Sequence, residues 1–64
     1  MFIQYEVWGT LDGHEELLEC VATLKEAERL AEDLLEFNEA IWILEDKDGD
    51  LEEVRRYKNT GVIG

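Results

Sequence analysis

The longest run of helical period lies between Thr23 and Phe37, where Leu24, Ala27, Leu30, Ala31, Leu34 and Phe37 recur at three- and four-residue intervals. That spacing puts all six on one stripe of a 3.6-residue helix facing a core. Thr23 and Glu26 form a capping box at the start, each side chain serving a main-chain N–H that the first turn leaves without a partner. Asn38, which tolerates the left-handed conformation, is expected to close the helix.

On either side of this helix the pattern changes to strand and turn. Phe2 to Trp8 is aromatic and β-branched, and Asp12-Gly13 is a two-residue hairpin signal. With those two residues as the loop, Leu11 faces His14, Val7 faces Leu18, Tyr5 faces Cys20 and Ile3 faces Ala22, giving one wholly apolar side. The other side then holds Trp8 against Leu17, Gln4 against Val21 and Glu6 against Glu19, with Phe2 at the end. A one-residue slip would turn every side chain over, so the apolar match argues for this register.

Beyond the helix, Ala40 to Leu44 is a short apolar run that reads as a buried strand, and Asp48-Gly49 repeats the hairpin signal before a return strand from Leu51 to Tyr57. A two-residue turn groups Ile41, Ile43 and Val54 on one side and leaves Trp42, Leu44, Leu51 and Tyr57 on the other. A turn with Gly49 as a bulge would instead join Trp42, Leu44 and Val54. Asn59 to Gly64 has turn composition with a Val62-Ile63 pair and reads as a loose tail or a short edge strand. The order ββαββ predicts one α+β domain over residues 1–64, a four-stranded antiparallel sheet with one helix across one face. Strand orders 2-1-3-4 and 1-2-4-3 both keep every neighbour antiparallel.

Composition narrows the function. A chain of 64 residues buries only roughly 60% of its unfolded surface, which makes self-association an expected source of further stability. Cys20 is the single cysteine, so a disulfide within the chain is excluded, and a cytoplasmic setting suits it. There is no apolar run long enough for a membrane span. Seventeen acidic residues against six basic ones give a net charge of −11. Direct binding to nucleic acid or to an anionic membrane is disfavoured, since both depend on Lys and Arg. A basic protein partner is favoured, although acidity also serves solubility alone.

Candidate chemistry is sparse. Glu28, Glu32 and Glu36 lie four apart and form a column on one helix flank, continued by Glu39, with Lys25 and Arg29 in reach of Glu28, Glu32 and Asp33. Such a column could imitate a nucleic-acid backbone; an ordinary solvated flank is the simpler explanation, since charged outer helix faces are routine. Asp46, Asp48 and Asp50 with Gly49 have the residue types of a calcium loop, but Leu51 and Tyr57 stand where that loop needs Gly and Glu. Glu6 opposite Glu19 could share a proton, and His14 sits at a hairpin tip; neither has the neighbours that complete a catalytic or metal set. Cys20 is expected to pack on Tyr5, and Arg55 and Arg56 to pair with Glu45, Glu52 or Glu53. No enzyme activity, cofactor or metal is expected.

Two motifs carry a family likeness: Thr23-Leu24-Lys25-Glu26-Ala27 opening the helix, and the stretch Lys47-Asp48-Gly49-Asp50-Leu51-Glu52-Glu53-Val54-Arg55-Arg56-Tyr57. From Thr23 to Tyr57 the chain resembles a family of short bacterial domains, the domain of unknown function 2188. The first hairpin departs from that family in its acidity and its Asp12-Gly13 tip. The resemblance implies a fold and no site.

One helix covers one sheet face, so the other is expected to present Phe2, Trp8, Leu17, Trp42, Leu44 and Tyr57, together with Val21 and Leu51. Apolar patches of that size mark interfaces, and Trp and Tyr are enriched at binding hot spots. The expected function is protein–protein docking through that face, with self-association, and with Glu28, Glu32 and Glu36 steering a basic partner. The alternative is a nucleic-acid mimic of phage-inhibitor type that fills a basic DNA- or RNA-binding groove.

Overall fold

Both Asp-Gly turns form. Asp12 and Gly13 have φ of 54° and 80°, and Asp48 and Gly49 have φ of 52° and 96°, the positive pair that a two-residue hairpin of matching twist requires. The computed structural model describes residues 2–60. These turns join β1 (Ile3–Leu11) to β2 (His14–Val21) and β3 (Ala40–Lys47) to β4 (Asp50–Lys58), with α1 (Leu24–Leu34) between the hairpins. The sheet is antiparallel throughout in the order β2-β1-β3-β4. The fold is therefore α+β, and the first of the two expected strand orders is the one adopted. The Val62-Ile63 pair lies outside the described residues.

Each hairpin starts in the expected register and then leaves it. Leu11 pairs with His14 and Trp8 with Leu17, but Val7 pairs with Glu19, so Leu18 is an extra residue in β2. In the second hairpin Leu44 pairs with Glu53 and Ile43 with Arg55, so Val54 is an extra residue in β4. A bulge turns the rest of the strand over. Leu18 and Val21 thereby both reach the helix side, as do Val54 and Tyr57. These pairs are three apart, a spacing that a flat strand splits between its two faces.

Several expected contacts change as a result. Tyr5 faces Val21 rather than Cys20, and Cys20 lies exposed opposite Glu6. The Glu6–Glu19 pair does not form; the bulge removes a like-charge opposition that would be unfavourable. Arg55 falls on the helix side and its Nε donates to Glu28 Oε2 at 2.9 Å, rather than to a strand carboxylate.

The core is Val7, Ile41 and Ile43 from the two central strands and Ala27 and Ala31 from the helix, all fully buried. Two alanines at the closest approach let the helix backbone sit near the sheet, while Leu24, Leu30 and Leu34 flank them. The Glu26 N–H donates to Thr23 Oγ1 at 3.1 Å, so the N-cap is present, but the expected box is not reciprocal: the Glu26 carboxylate accepts from the Thr23 hydroxyl at 3.0 Å rather than from a main-chain N–H. The far end differs from expectation. The α-helix stops at Leu34 and Leu35–Phe37 tightens into a 3-10 turn, which rotates Phe37 off the core stripe and leaves it 63% exposed. Asn38 is extended, not left-handed; it ends the helix by donating from Nδ2 to the Leu34 carbonyl and from its N–H to the Leu35 carbonyl.

Candidate functional site

The face away from the helix is built in rows across the strands. Leu17, Trp8, Trp42 and Arg56 are consecutive partners across β2, β1, β3 and β4. Cys20, Glu6, Leu44 and Glu53 form the row beside them. Trp8, Leu17, Trp42 and Leu44 thus come together on one surface as expected, with Leu51 at the β4 edge. Phe2 precedes β1 on the same alternation, at the sheet corner, with its N–H donated to Asp48 Oδ1. Tyr57 and Val21 do not belong here: both are half-buried and pack against the helix-side core, because each follows a bulge.

This face is neither bare nor uniformly apolar. Trp42 is only 9% exposed, although among the described residues no helix or further strand lies over it. The Arg56 guanidinium carbon lies 5.0 Å from the centroid of a Trp42 ring, near enough for cation–π attraction. Glu53 holds that guanidinium in a fork: Nε donates to Oε2 at 3.0 Å and Nη2 to Oε1 at 2.7 Å. The same hydrogen-bonded Arg56 pulls the Glu53 carboxyl below its ordinary pKa. Trp8 Nε1 donates to Glu6 Oε1 at 2.9 Å, so the indole has its polar end satisfied within the chain. Leu17 and Leu51, 45% and 54% exposed, stand at opposite edges. The face thus presents an aromatic centre ringed by charged side chains.

The acidic flank is shorter than the sequence suggests. Glu28 is tied to Arg55, Glu36 lies in the 3-10 turn rather than the α-helix, and Glu39 turns away, its Oε1 accepting from the Asp12 N–H. Asp46 Oδ1 accepts from the Gly49 N–H at 2.9 Å and Asp48 Oδ1 from Phe2, so those carboxylates serve the turn and the strand end.

A second surface escaped the sequence reading. A groove of about 490 Å³ runs between the first hairpin tip and the helix end, lined by Leu11, His14, Leu18, Leu34, Phe37 and Asn38 among others. Its apolar walls include two exposed residues, Leu11 and Phe37. The only sequence signal for it was Phe37 itself, which helical periodicity assigns to the core. Among the described residues no helix is long and apolar enough to cross a membrane. Scans of family models, curated proteins and solved structures found nothing that matches this chain.

Proposed function

We propose that this chain is a small, non-catalytic protein-interaction domain that docks a basic partner protein through the open sheet face. The observation that carries the reading is the row Leu17–Trp8–Trp42–Arg56 on a face that, among the described residues, no other element covers. Trp8 and Leu17 supply accessible apolar surface, Trp42 a rigid floor, and Glu6, Glu15, Asp46 and Glu53 a mostly acidic surround. Burying Trp8 against a partner removes apolar area from water, while the net charge of −11 draws a basic protein in from a distance. Glu32 and Glu36 strengthen that field. The exposed, single Cys20 suits a reducing, cytoplasmic setting. No cofactor enters this reading.

The nucleic-acid-mimic reading is the alternative and rests on the helix flank, where Glu28 is already neutralised by Arg55. Binding kinetics with a captured partner separate the two. Docking requires Trp8→Ala to raise the dissociation rate and abolish stable binding, with Glu32→Gln and Glu36→Gln mainly slowing association. The reverse ranking, with competition by duplex DNA for the same partner, supports mimicry and refutes docking.

A further inference from the structure

The two sheet edges are built differently. β2 carries Glu15, Glu16 and Glu19 and no Lys or Arg, so a second β2 brought alongside is repelled. β4 holds three acids, Asp50, Glu52 and Glu53, in its first half and three bases, Arg55, Arg56 and Lys58, in its second. In a chain with only six basic residues, half of them sit on this one strand. It is neutral, and its charge changes sign at its middle. Two such strands laid antiparallel put the acidic half of each against the basic half of the other.

We propose that β4 pairs antiparallel with β4 of a second copy of this chain, about a two-fold axis between Val54 and Arg55, joining two sheets into one of eight strands. The backbone fits this register. A two-residue turn closes on a hydrogen-bonded pair, here Lys47 and Asp50. Alternation then turns the main-chain groups of Leu51 and Glu53 outward. At the other end the Asn59 N–H donates inward to the Glu39 carbonyl, so Lys58 and Arg56 also face outward. In the two-fold register Glu53 meets Arg56 of the second copy and Leu51 meets its Lys58, pairing outward groups with outward groups.

The side chains agree with the backbone. The Val54 bulge places Leu51, Glu53 and Arg56 on the open face and Glu52, Arg55 and Tyr57 on the helix side. The same register sets Val54 against Arg55 and Glu52 against Tyr57, so every pair shares a face. A shift by one residue opposes open-face to helix-side residues at every pair except the one on the axis. At the axis, two Arg56 and two Glu53 side chains then alternate in one cluster, each Arg keeping its own Glu53 and gaining the other. The helix packs chiefly on β1, β3 and β2, and among the described residues nothing pairs with the outer side of β4. The proposal goes beyond the docking reading: the two share Arg56 and Glu53, but the paired edge leaves Trp8 and Leu17 free.

Sedimentation equilibrium of the full chain, from micromolar to millimolar concentration, tests it. The wild type should reach twice the 7.5 kDa chain mass. Arg56→Glu should sediment as a monomer with native circular dichroism, and Glu53→Arg combined with Arg56→Glu should restore the dimer, because the swap reverses both signs. Leu51→Pro, which removes an outward N–H while suiting an edge strand, should also be monomeric. A wild type that stays monomeric, or a folded Arg56→Glu that still dimerises, overturns the proposal. A dimer that Trp8→Ala abolishes and Arg56→Glu spares shows face-to-face association instead, and also overturns it.

Discussion

Removing the Arg56 side chain should uncover Trp42 without unfolding the domain. Three contributions are lost in Arg56→Ala. The cation–π contact over Trp42 is worth about 0.5–1 kcal/mol where the cation remains partly solvated. The ion pair with Glu53 joins side chains 46% and 41% exposed, so screening limits it to at most about 1 kcal/mol. Lost apolar cover from the arginine stem adds a few tenths more. The sum is about 1–2 kcal/mol against a total stability of roughly 3–10 kcal/mol for a domain of this length. At about 4–8 °C per kcal/mol, the melting temperature should fall by roughly 5–15 °C. The assay is Trp42 fluorescence in a Trp8→Phe background. Arg56→Ala should red-shift the emission and raise acrylamide quenching at temperatures well below the transition, and Arg56→Lys should fall between, since an ammonium cannot stack or fork. Unchanged emission and quenching would refute the assignment of Arg56 as the cover of Trp42.

Three other perturbations read separate parts of the structure. Thr23→Ala removes the acceptor for the Glu26 N–H and should destabilise by about 1 kcal/mol, visible in urea unfolding, whereas Thr23→Ser should be close to wild type. Tyr57→Ala should destabilise by about 2–3 kcal/mol and Leu51→Ala by less than about 0.5 kcal/mol; similar losses at the two sites would contradict the bulge that turns Tyr57 inward. Burial first, then the Glu28 and Glu32 charges, raise the Tyr57 pKa above its ordinary 10.0. Folding therefore favours the protonated phenol. That contribution is complete below the unfolded value and is lost as pH rises through the folded one. Burial and the Glu45 carboxylate raise Tyr5 as well, so ultraviolet titration belongs in a Tyr5→Phe background, where the remaining tyrosine should titrate late and Glu28→Gln should bring it down.

The parts of the fold that local chemistry dictates were legible in the residue pattern. Asp12-Gly13 and Asp48-Gly49 supply positive φ twice, Thr23 and Glu26 cap the helix, and Leu24 to Leu34 carries one apolar stripe; each feature depends on neighbours in the chain. The bulges depend on the whole sheet. A period of two assigns Tyr57 to the open face, and only the shared spacing of Leu18 with Val21 and of Val54 with Tyr57 hints otherwise. Those pairs stand at the same places after Gly13 and Gly49, a sign that the two hairpins are built alike. Arg55 follows the same turn of the strand, so its pairing with Glu28 was equally hidden. Phe37 was misplaced for another reason: Asn38 competes for the last helical carbonyls and tightens the turn, which helical periodicity does not register. Of the candidate face, Trp8, Leu17, Trp42 and Leu44 were readable from alternation. Their cover of Arg56 and Glu53 was not, because it needs the register of β4.

The docking claim is tested most directly by affinity capture from source-cell lysate, with wild type and a Trp8→Ala, Leu17→Ala variant run side by side at low and high salt. Exposed charge contacts are screened at high salt while apolar burial persists. The account predicts a basic protein retained by the wild type at both salt concentrations and lost by the variant at both. Capture of the same proteins by wild type and variant, or capture that vanishes with salt and depends on Glu32 and Glu36 alone, contradicts it.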